Sequence, residues 1–187
     1  SIAPCRESAV MQGGHAADAV IWIDDATGRW CSSTYYSPSL PSWVSVLNAG
    51  TTLAERLNSE TWQPSSDLVG NFSYFLSGGM KQPFKHSFKK GVGRFASFKT
   101  SGLVNEEIAA AAEQCLGGTM LGADGVTDLL NVTFYAGNFE HKPVSEVSME
   151  VQDTYMRLDR TLARLIKAID AKVGRDNALY VLTSTGY

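Results

Sequence analysis

The amino-acid sequence predicts an α/β fold: part of a parallel sheet flanked by helices, with an irregular, aromatic-rich cap or insertion. Three observations carry this prediction. Residues 129–182 run strand, long one-faced helix, strand, the order of a right-handed βαβ unit. Residues 19–50 read as a β-hairpin followed by a helix. Residues 58–103 lie between these regular parts, carry many aromatic side chains and keep no sustained period. The chain has 187 residues, 44% of them hydrophobic and 19% charged, which suits a core-forming chain and excludes a disordered tail or a coiled coil.

The elements follow in chain order. Ala19–Ile23 and Arg29–Tyr36 are β-prone, and the turn-forming run Asp24-Asp25-Ala26-Thr27-Gly28 joins them into a hairpin. Pro41 suits a helix start, Trp43, Val44 and Leu47 share one face, and Gly50 marks the end. These make up a first stretch, residues 1–57. The second stretch, residues 58–103, includes Trp62, Phe84, Phe88, Phe95 and Phe98. It is also basic: from Leu68 to Asn105 there is no Asp or Glu, while Lys81, Lys85, Lys89, Lys90, Arg94 and Lys99 all fall inside. In the third stretch, residues 104–187, Val104, Ile108, Ala112 and Cys115 repeat at helical spacing up to Gly117-Gly118. Leu129–Tyr135 reads as a short strand. Val151, Tyr155, Leu158, Leu162, Leu165 and Ile169 trace one face of a long helix closed by Gly174. Ala178–Leu182 reads as a second buried strand.

Charge and cysteine content exclude several classes. A net charge of -3 and a pI near 5.6 argue against bulk non-specific nucleic-acid binding. No run of eighteen apolar residues suits a membrane span. Cys5, Cys31 and Cys115 are too few and too far apart for a disulfide framework or a zinc ribbon, and are expected to be buried structural thiols.

In a βαβ unit the chemistry gathers just after each strand. Here that places Asn138, Glu140 and His141 after the first strand, and hydroxyls, a glycine and Tyr187 after the second. His15 is expected to be a hydrogen-bonded structural residue and His86 to face solvent. The sequons Asn71-Phe72-Ser73 and Asn131-Val132-Thr133 are read as coincidence. The basic aromatic stretch offers Lys85, Lys89, Lys90 and Arg94 as candidates for a phosphorylated or anionic ligand, a polyanion or a glycan. The competing reading is a cap whose phenylalanines pack inward and whose lysines are solvated.

Several runs carry a resemblance. Gly14-His15-Ala16-Ala17-Asp18, Thr27-Gly28, Ser32-Ser33-Thr34-Tyr35-Tyr36 and Leu40-Pro41-Ser42-Trp43-Val44 occur in the first part. Asp128-Leu129-Leu130-Asn131-Val132, Glu150-Val151-Gln152-Asp153-Thr154-Tyr155 with Leu158-Asp159, and Leu182-Thr183 occur in the last. Together they resemble the alkaline phosphatase superfamily, specifically its type I phosphodiesterase and Thr-nucleophile, zinc-dependent phosphomonoesterase branch. The likeness covers residues 7–187 apart from the irregular middle. It implies an alkaline-phosphatase-like parallel sheet and an internal segment, with the nucleophile and an early metal Asp before Ser1 and a last metal His beyond Tyr187. It also implies export to the periplasm or cell surface.

The departures from that pattern bear on chemistry. Members of the family hold two zinc ions with Asp and His ligands. Where the family has Asp, three residues and His, this chain has Gly137-Asn138-Phe139-Glu140-His141. The Asp position falls on Gly137 or Asn138, and His141 alone keeps a ligand type. Where the family has Asp-His-Gly, the chain has Thr185-Gly186-Tyr187. A Lys-x-Arg pair that clamps phosphate oxygens in the family falls on Cys5 and Glu7, with Arg6 between, and a Glu there repels a phosphate dianion. The expectation is a phosphohydrolase homologue without two-zinc catalysis and without a resident cofactor, serving as a ligand-binding or scaffold unit. The alternatives are an active hydrolase with zinc relocated to Asn138, Glu140 and His141, and a binding module that uses the basic cap.

Overall fold

The computed structural model describes residues 1–65 and 83–184. Helix α1 (Arg6–Gly13) follows the first extended residues, and the hairpin strands β1 (Trp22–Ile23) and β2 (Trp30–Cys31) come next. Helices α2 (Ser42–Leu47) and α3 (Leu53–Arg56) lead to the antiparallel pair β3 (Thr61–Trp62) and β4 (His86–Ser87). Helices α4 (Arg94–Lys99) and α5 (Val104–Gly118) precede a short 3-10 turn, Phe139–His141, and the long helix α6 (Val144–Val173).

The hairpin forms where its composition placed it, with Trp22 opposite Cys31 and Ile23 opposite Trp30. Its turn is built by Asp24, whose carboxylate accepts from the Ala26 and Thr27 amides and the Thr27 hydroxyl. Gly28 has φ +70°, and a Cβ there would lie 2.2 Å from the Phe95 ring, so the turn tucks beneath α4.

The parallel sheet is short. Ile2 bridges Ile21 on one side and Val132 on the other, both in parallel. The Ile2 amide donates to the Asn131 carbonyl, and the Thr133 amide donates to the Ile2 carbonyl. The segments therefore lie in the order β2, β1, residues 1–3, residues 131–133. Two asparagines borne by helical segments complete the backbone bonding. Asn48, at the end of α2, donates to the Trp30 carbonyl and accepts from its amide at 2.7 and 2.9 Å. Asn105 in α5 does the same to Tyr135, at 2.8 Å each way. Each side chain stands where a neighbouring strand would otherwise bond.

Helix α5 is the centre of the core. It buries Val104, Ile108, Ala111, Ala112 and Cys115 against α6 and α2. Gly118 lies beneath α2, where a Cβ would come within 2.6 Å of the Trp43 Cβ. The Lys172 ammonium of α6 donates to the Leu116 and Thr119 carbonyls, placing a cation at the C-terminal end of α5. Arg157–Glu106 and Arg164–Glu113 ion pairs, at 3.1 and 2.8 Å, span the two helices one above the other. One cluster of buried apolar side chains collects Ile2, Trp30, Trp62, Phe98, Ile108 and Leu165 from along the whole chain.

Two elements differ from expectation. The run expected as a strand over Leu129–Tyr135 forms only the bridge at Val132, because β pairing needs a neighbour and residues 1–3 are the neighbour it has among the described residues. The second strand, expected to be buried over Ala178–Leu182, is an extended, exposed segment. Leu179 is 91% exposed, Val181 78% and Leu182 83%. No described strand lies beside it, so the βαβ unit is not closed. The long helix starts at Val144, before the first apolar position used to trace it, with Pro143 setting its entry and a kink at Val147.

Candidate functional site

Parallel bridging sends three chains out of the sheet at the same end. Residues 1–3 continue into Cys5–Glu7, β1 continues into the Asp24–Asp25 turn, and Val132 continues into Tyr135–His141. This carboxyl end is the place where ligands meet an open α/β sheet, and it gathers the positions singled out in the first and third stretches.

The Tyr135–His141 loop is held tightly. The Asn105 amide bonds the Tyr135 backbone, and Asn105 itself is fully buried. The Tyr135 hydroxyl donates to the Asn138 carbonyl at 2.6 Å. That fold-over needs Gly137, since a Cβ at this position would lie 2.8 Å from the hydroxyl oxygen. Phe139 is buried, its ring 5.2 Å from Trp62 and 4.3 Å from His86. Glu140 and His141 both take left-handed backbone angles, φ +51° and +56°, a conformation costly for residues with a Cβ.

Glu140 is fully engaged. Its carboxylate pairs with the Lys142 ammonium at 2.8 Å and accepts from the Ser97 hydroxyl at 2.9 Å, while its amide donates to the Thr100 hydroxyl. The Lys142 bond, followed by the Ser97 bond, holds its carboxyl below the ordinary value despite some desolvation. His141 is exposed and meets only the edge of the Tyr135 ring, 6.5 Å between centroids. Asn138 contributes its carbonyl to Tyr135 and to the His141 amide.

At the N-terminal position, Cys5 precedes α1 and its thiol lies 3.2 Å from the Ser8 hydroxyl. Arg6 and Glu7 are exposed and bond each other at 3.3 Å. Glu7's carboxyl is lowered by its own backbone amide first and by Arg6 after that. Adjacent charges of opposite sign leave little net field at this point. The neighbouring Lys99 is buried and pairs with Asp25 at 2.8 Å.

The described residues of this segment do not by themselves supply the donors of two zinc sites. A zinc site takes at least three anionic or imidazole donors from the protein. The described loop presents one exposed imidazole and one carboxylate already bonded to an ammonium and a hydroxyl, and Gly137 and Asn138 bring no carboxylate. Among the described residues, no three His, Cys, Asp or Glu side chains converge for a metal. Thr185 and Gly186 lie outside the described residues, as do Lys81 and the sequon at Asn71.

The basic stretch divides into two sets. Lys85, Lys89 and Lys90 are exposed. Arg94 is buried, donating to the Phe88 carbonyl and the Asn58 side chain at 3.0 Å each and lying 5.7 Å from the Phe95 ring centre. Phe88, Phe95 and Phe98 are buried around it.

His86 is not solvent-facing, which corrects the expectation from its basic neighbours. Its Nε2 lies 2.8 Å from Glu150 Oε1, and its ring is packed among Phe84, Trp62 and Phe139. One turn along α6, Asp153 is wholly buried and accepts from Trp62 Nε1 at 2.6 Å, the Ser65 amide at 2.9 Å and Arg157 Nε at 2.7 Å. The β3–β4 stem is thus fastened to α6 by two carboxylates that sequence reading did not single out. The signal available was the i, i+4 pair Asp153–Arg157 within the Glu150–Asp159 run. His15 bonds the Tyr35 hydroxyl at 2.9 Å. The three thiols are free: Cys115 is buried, while Cys5 and Cys31 are half-buried. Burial pushes Cys31 up to about 11 and raises Cys115 as well.

No protein-family model matches the chain. It is 31% identical over 193 aligned residues to alkaline phosphatase PhoV of Synechococcus elongatus, covering 94% of this chain and 34% of that protein. It is 30% identical to alkaline phosphatase PafA of Elizabethkingia meningoseptica, covering 95% of this chain and 34% of that protein. A calcium-transporting ATPase of Myroides odoratus is 26% identical, with the same 34% covered. The crystal structure of wild-type PafA superposes with a TM-score of 0.62 at 25% identity, over 94% of this chain and 36% of that one. A multiply substituted PafA gives a TM-score of 0.63. The chain is therefore homologous, along nearly all its length, to a partial segment of alkaline phosphatases, and it spans about a third of their length.

Proposed function

We propose that residues 1–187 are an internal segment of a phosphoric ester hydrolase homologue of the alkaline phosphatase type, in the phosphomonoesterase and type I phosphodiesterase branch, that lacks two-zinc catalysis and serves ligand binding or scaffolding. The observation that supports this most directly is Glu140. The only carboxylate on the Gly137–His141 loop is bonded to Lys142 and Ser97, on a strained backbone that the Asn105–Tyr135 clamp holds in place. Releasing it to a metal would break an ion pair and a hydrogen bond. In this reading the segment is organised as residues 1–57, a basic cap over 58–103 and a core part over 104–187, within an exported, periplasmic or cell-surface protein.

The test is a zinc titration by calorimetry, with metal analysis, on the whole polypeptide that carries this segment, alongside turnover of an aryl phosphate. The expected result is no tight binding of two zinc ions and no zinc-dependent turnover. Two ions tightly bound, with turnover, would overturn the reading and favour relocated ligands at Asn138, Glu140 and His141. In that case His141→Ala abolishes binding of one ion.

A second reading rests on the exposure of Lys85, Lys89 and Lys90, which leaves three cations free to meet an anionic or phosphorylated ligand. Replacing all three by Glu should then remove binding of a polyanion such as heparin. Persistent binding would return the patch to a solvated surface.

A further inference from the structure

Lys89 and Lys90 are the one pair of adjacent basic residues in the sequence; every other Lys or Arg stands singly. The structure puts this pair on a loop between β4 and α4 that stands clear of the body. Residues 89–93 are all exposed, and Val92 is 110% exposed at the tip. The residues on either side, Phe88 and Arg94, are buried. A Cβ added at Gly91 or at Gly93 would meet nothing within 4 Å, so no neighbour presses on the backbone at either position. No amide from Lys90 to Gly93 donates to another described backbone group. The turn is closed only by the Arg94 amide, 3.4 Å from the Gly91 carbonyl, beyond ordinary hydrogen-bond length. Gly91 and Gly93 have φ +144° and +82°, and a glycine can leave such angles for an extended conformation at little cost. Exposed loop tips of small and polar residues are where chains are nicked.

We infer that the Lys90–Gly91 bond is a processing site for an endoprotease that reads paired basic residues through two adjacent anionic subsites, and that the cut chain persists as a native two-chain unit. In the step, water adds across the peptide bond, leaving a carboxylate on Lys90 and an ammonium on Gly91. The two pieces stay together because the contacts that cross the cut are buried. Arg94 donates to the Phe88 carbonyl and the Asn58 side chain, and the Phe88 and Phe98 rings meet edge to face at 5.5 Å. Trp62 bonds Asp153, His86 bonds Glu150, and Ile2 bridges Val132. The cut would free the C-terminal end of β4 from α4, which carries the Ser97 partner of Glu140. Lys85, Lys89 and Lys90 all remain on the first piece, so anion binding and cleavage are separate properties of one patch. The inference does not depend on whether zinc catalysis is retained.

The experiment treats the whole polypeptide that carries this segment with a subtilisin-like endoprotease specific for paired basic residues, in native buffer and in urea. Mass spectrometry should find one cut within the segment, after Lys90, in the native sample. The two pieces should co-elute on gel filtration and separate only in denaturant. The double variant Lys89→Gln, Lys90→Gln should lose this cut and keep the Tm of the parent chain. Resistance of the native chain would overturn the inference, whether or not the unfolded chain is cut. Unchanged cleavage of the double variant, or separation of the pieces without denaturant, would overturn it as well.

Discussion

The two halves of α6 sit in different surroundings. From Val147 to Thr161 the helix buries Met149, Glu150, Asp153 and Thr154, and its carboxylates grip the β3–β4 stem. Beyond that, Leu165 is its one residue more than nine-tenths buried, Ile166 is 39% exposed, and the extended run it leads into is exposed. Amphipathic spacing continues through both halves. A helix's apolar stripe records what it was selected to touch, whereas burial records what is present to touch it. The first half is the better secured because Asp153 accepts from Trp62, Ser65 and Arg157 and Glu150 bonds His86.

The sharpest way to break this contrast is Asp153→Ala. It leaves the Trp62 indole N–H and the Arg157 guanidinium without their buried acceptor, and removing one member of a buried charged pair costs about 3–5 kcal/mol. Thermal unfolding should show Tm falling by roughly 10 °C. Met149→Ala, in the same half and 1% exposed, should cost about 2–5 kcal/mol in a urea titration, with unchanged m. Ile166→Ala, in the other half, should cost under about 1 kcal/mol in the isolated chain. If Ile166→Ala matched Met149→Ala, the two halves would be equally packed and the contrast would fail.

The smallest expected effect is a pH effect. Glu140's carboxyl is depressed in the folded chain, so its stabilisation is present above its ordinary value of 4.5 and fades as pH falls through the depressed value. Glu140→Gln should therefore lower Tm slightly at pH 7 and leave it unchanged at the acid end, measured as Tm against pH. A difference that widened on acidification would contradict the assigned bonds to Lys142 and Ser97.

Local signals carried much of the fold to the surface of the sequence. The hairpin turn at Asp24–Gly28, the helix after Pro41 and the spacing of Val104, Ile108 and Cys115 each depend on neighbours a few residues away, and each formed. The motif runs placed the chain beside the alkaline phosphatases, and residue type alone marked Gly137 and Asn138 as lacking carboxylates. What stayed hidden was set by partners far along the chain. His86 meets Glu150 across 64 positions, and Glu140 meets Ser97 across 43. Composition gave no sign of either pairing, and a basic neighbourhood pointed His86 the wrong way. The exposure of Ala178–Leu182 was hidden for the same reason: a strand's sequence states its preference for a neighbour, and the neighbour's presence is a property of other residues.

The Asn48 clamp on Trp30 has a consequence best put as valence. A sheet with two free flanks is a bifunctional monomer and can add copies of itself without limit, while a sheet with one free flank is monofunctional and stops at a pair. By occupying the outward amide and carbonyl of Trp30 with a side chain that cannot itself be extended, Asn48 lowers that count by one. A flank so capped offers no unpaired Trp30 amide or carbonyl to a strand from another chain.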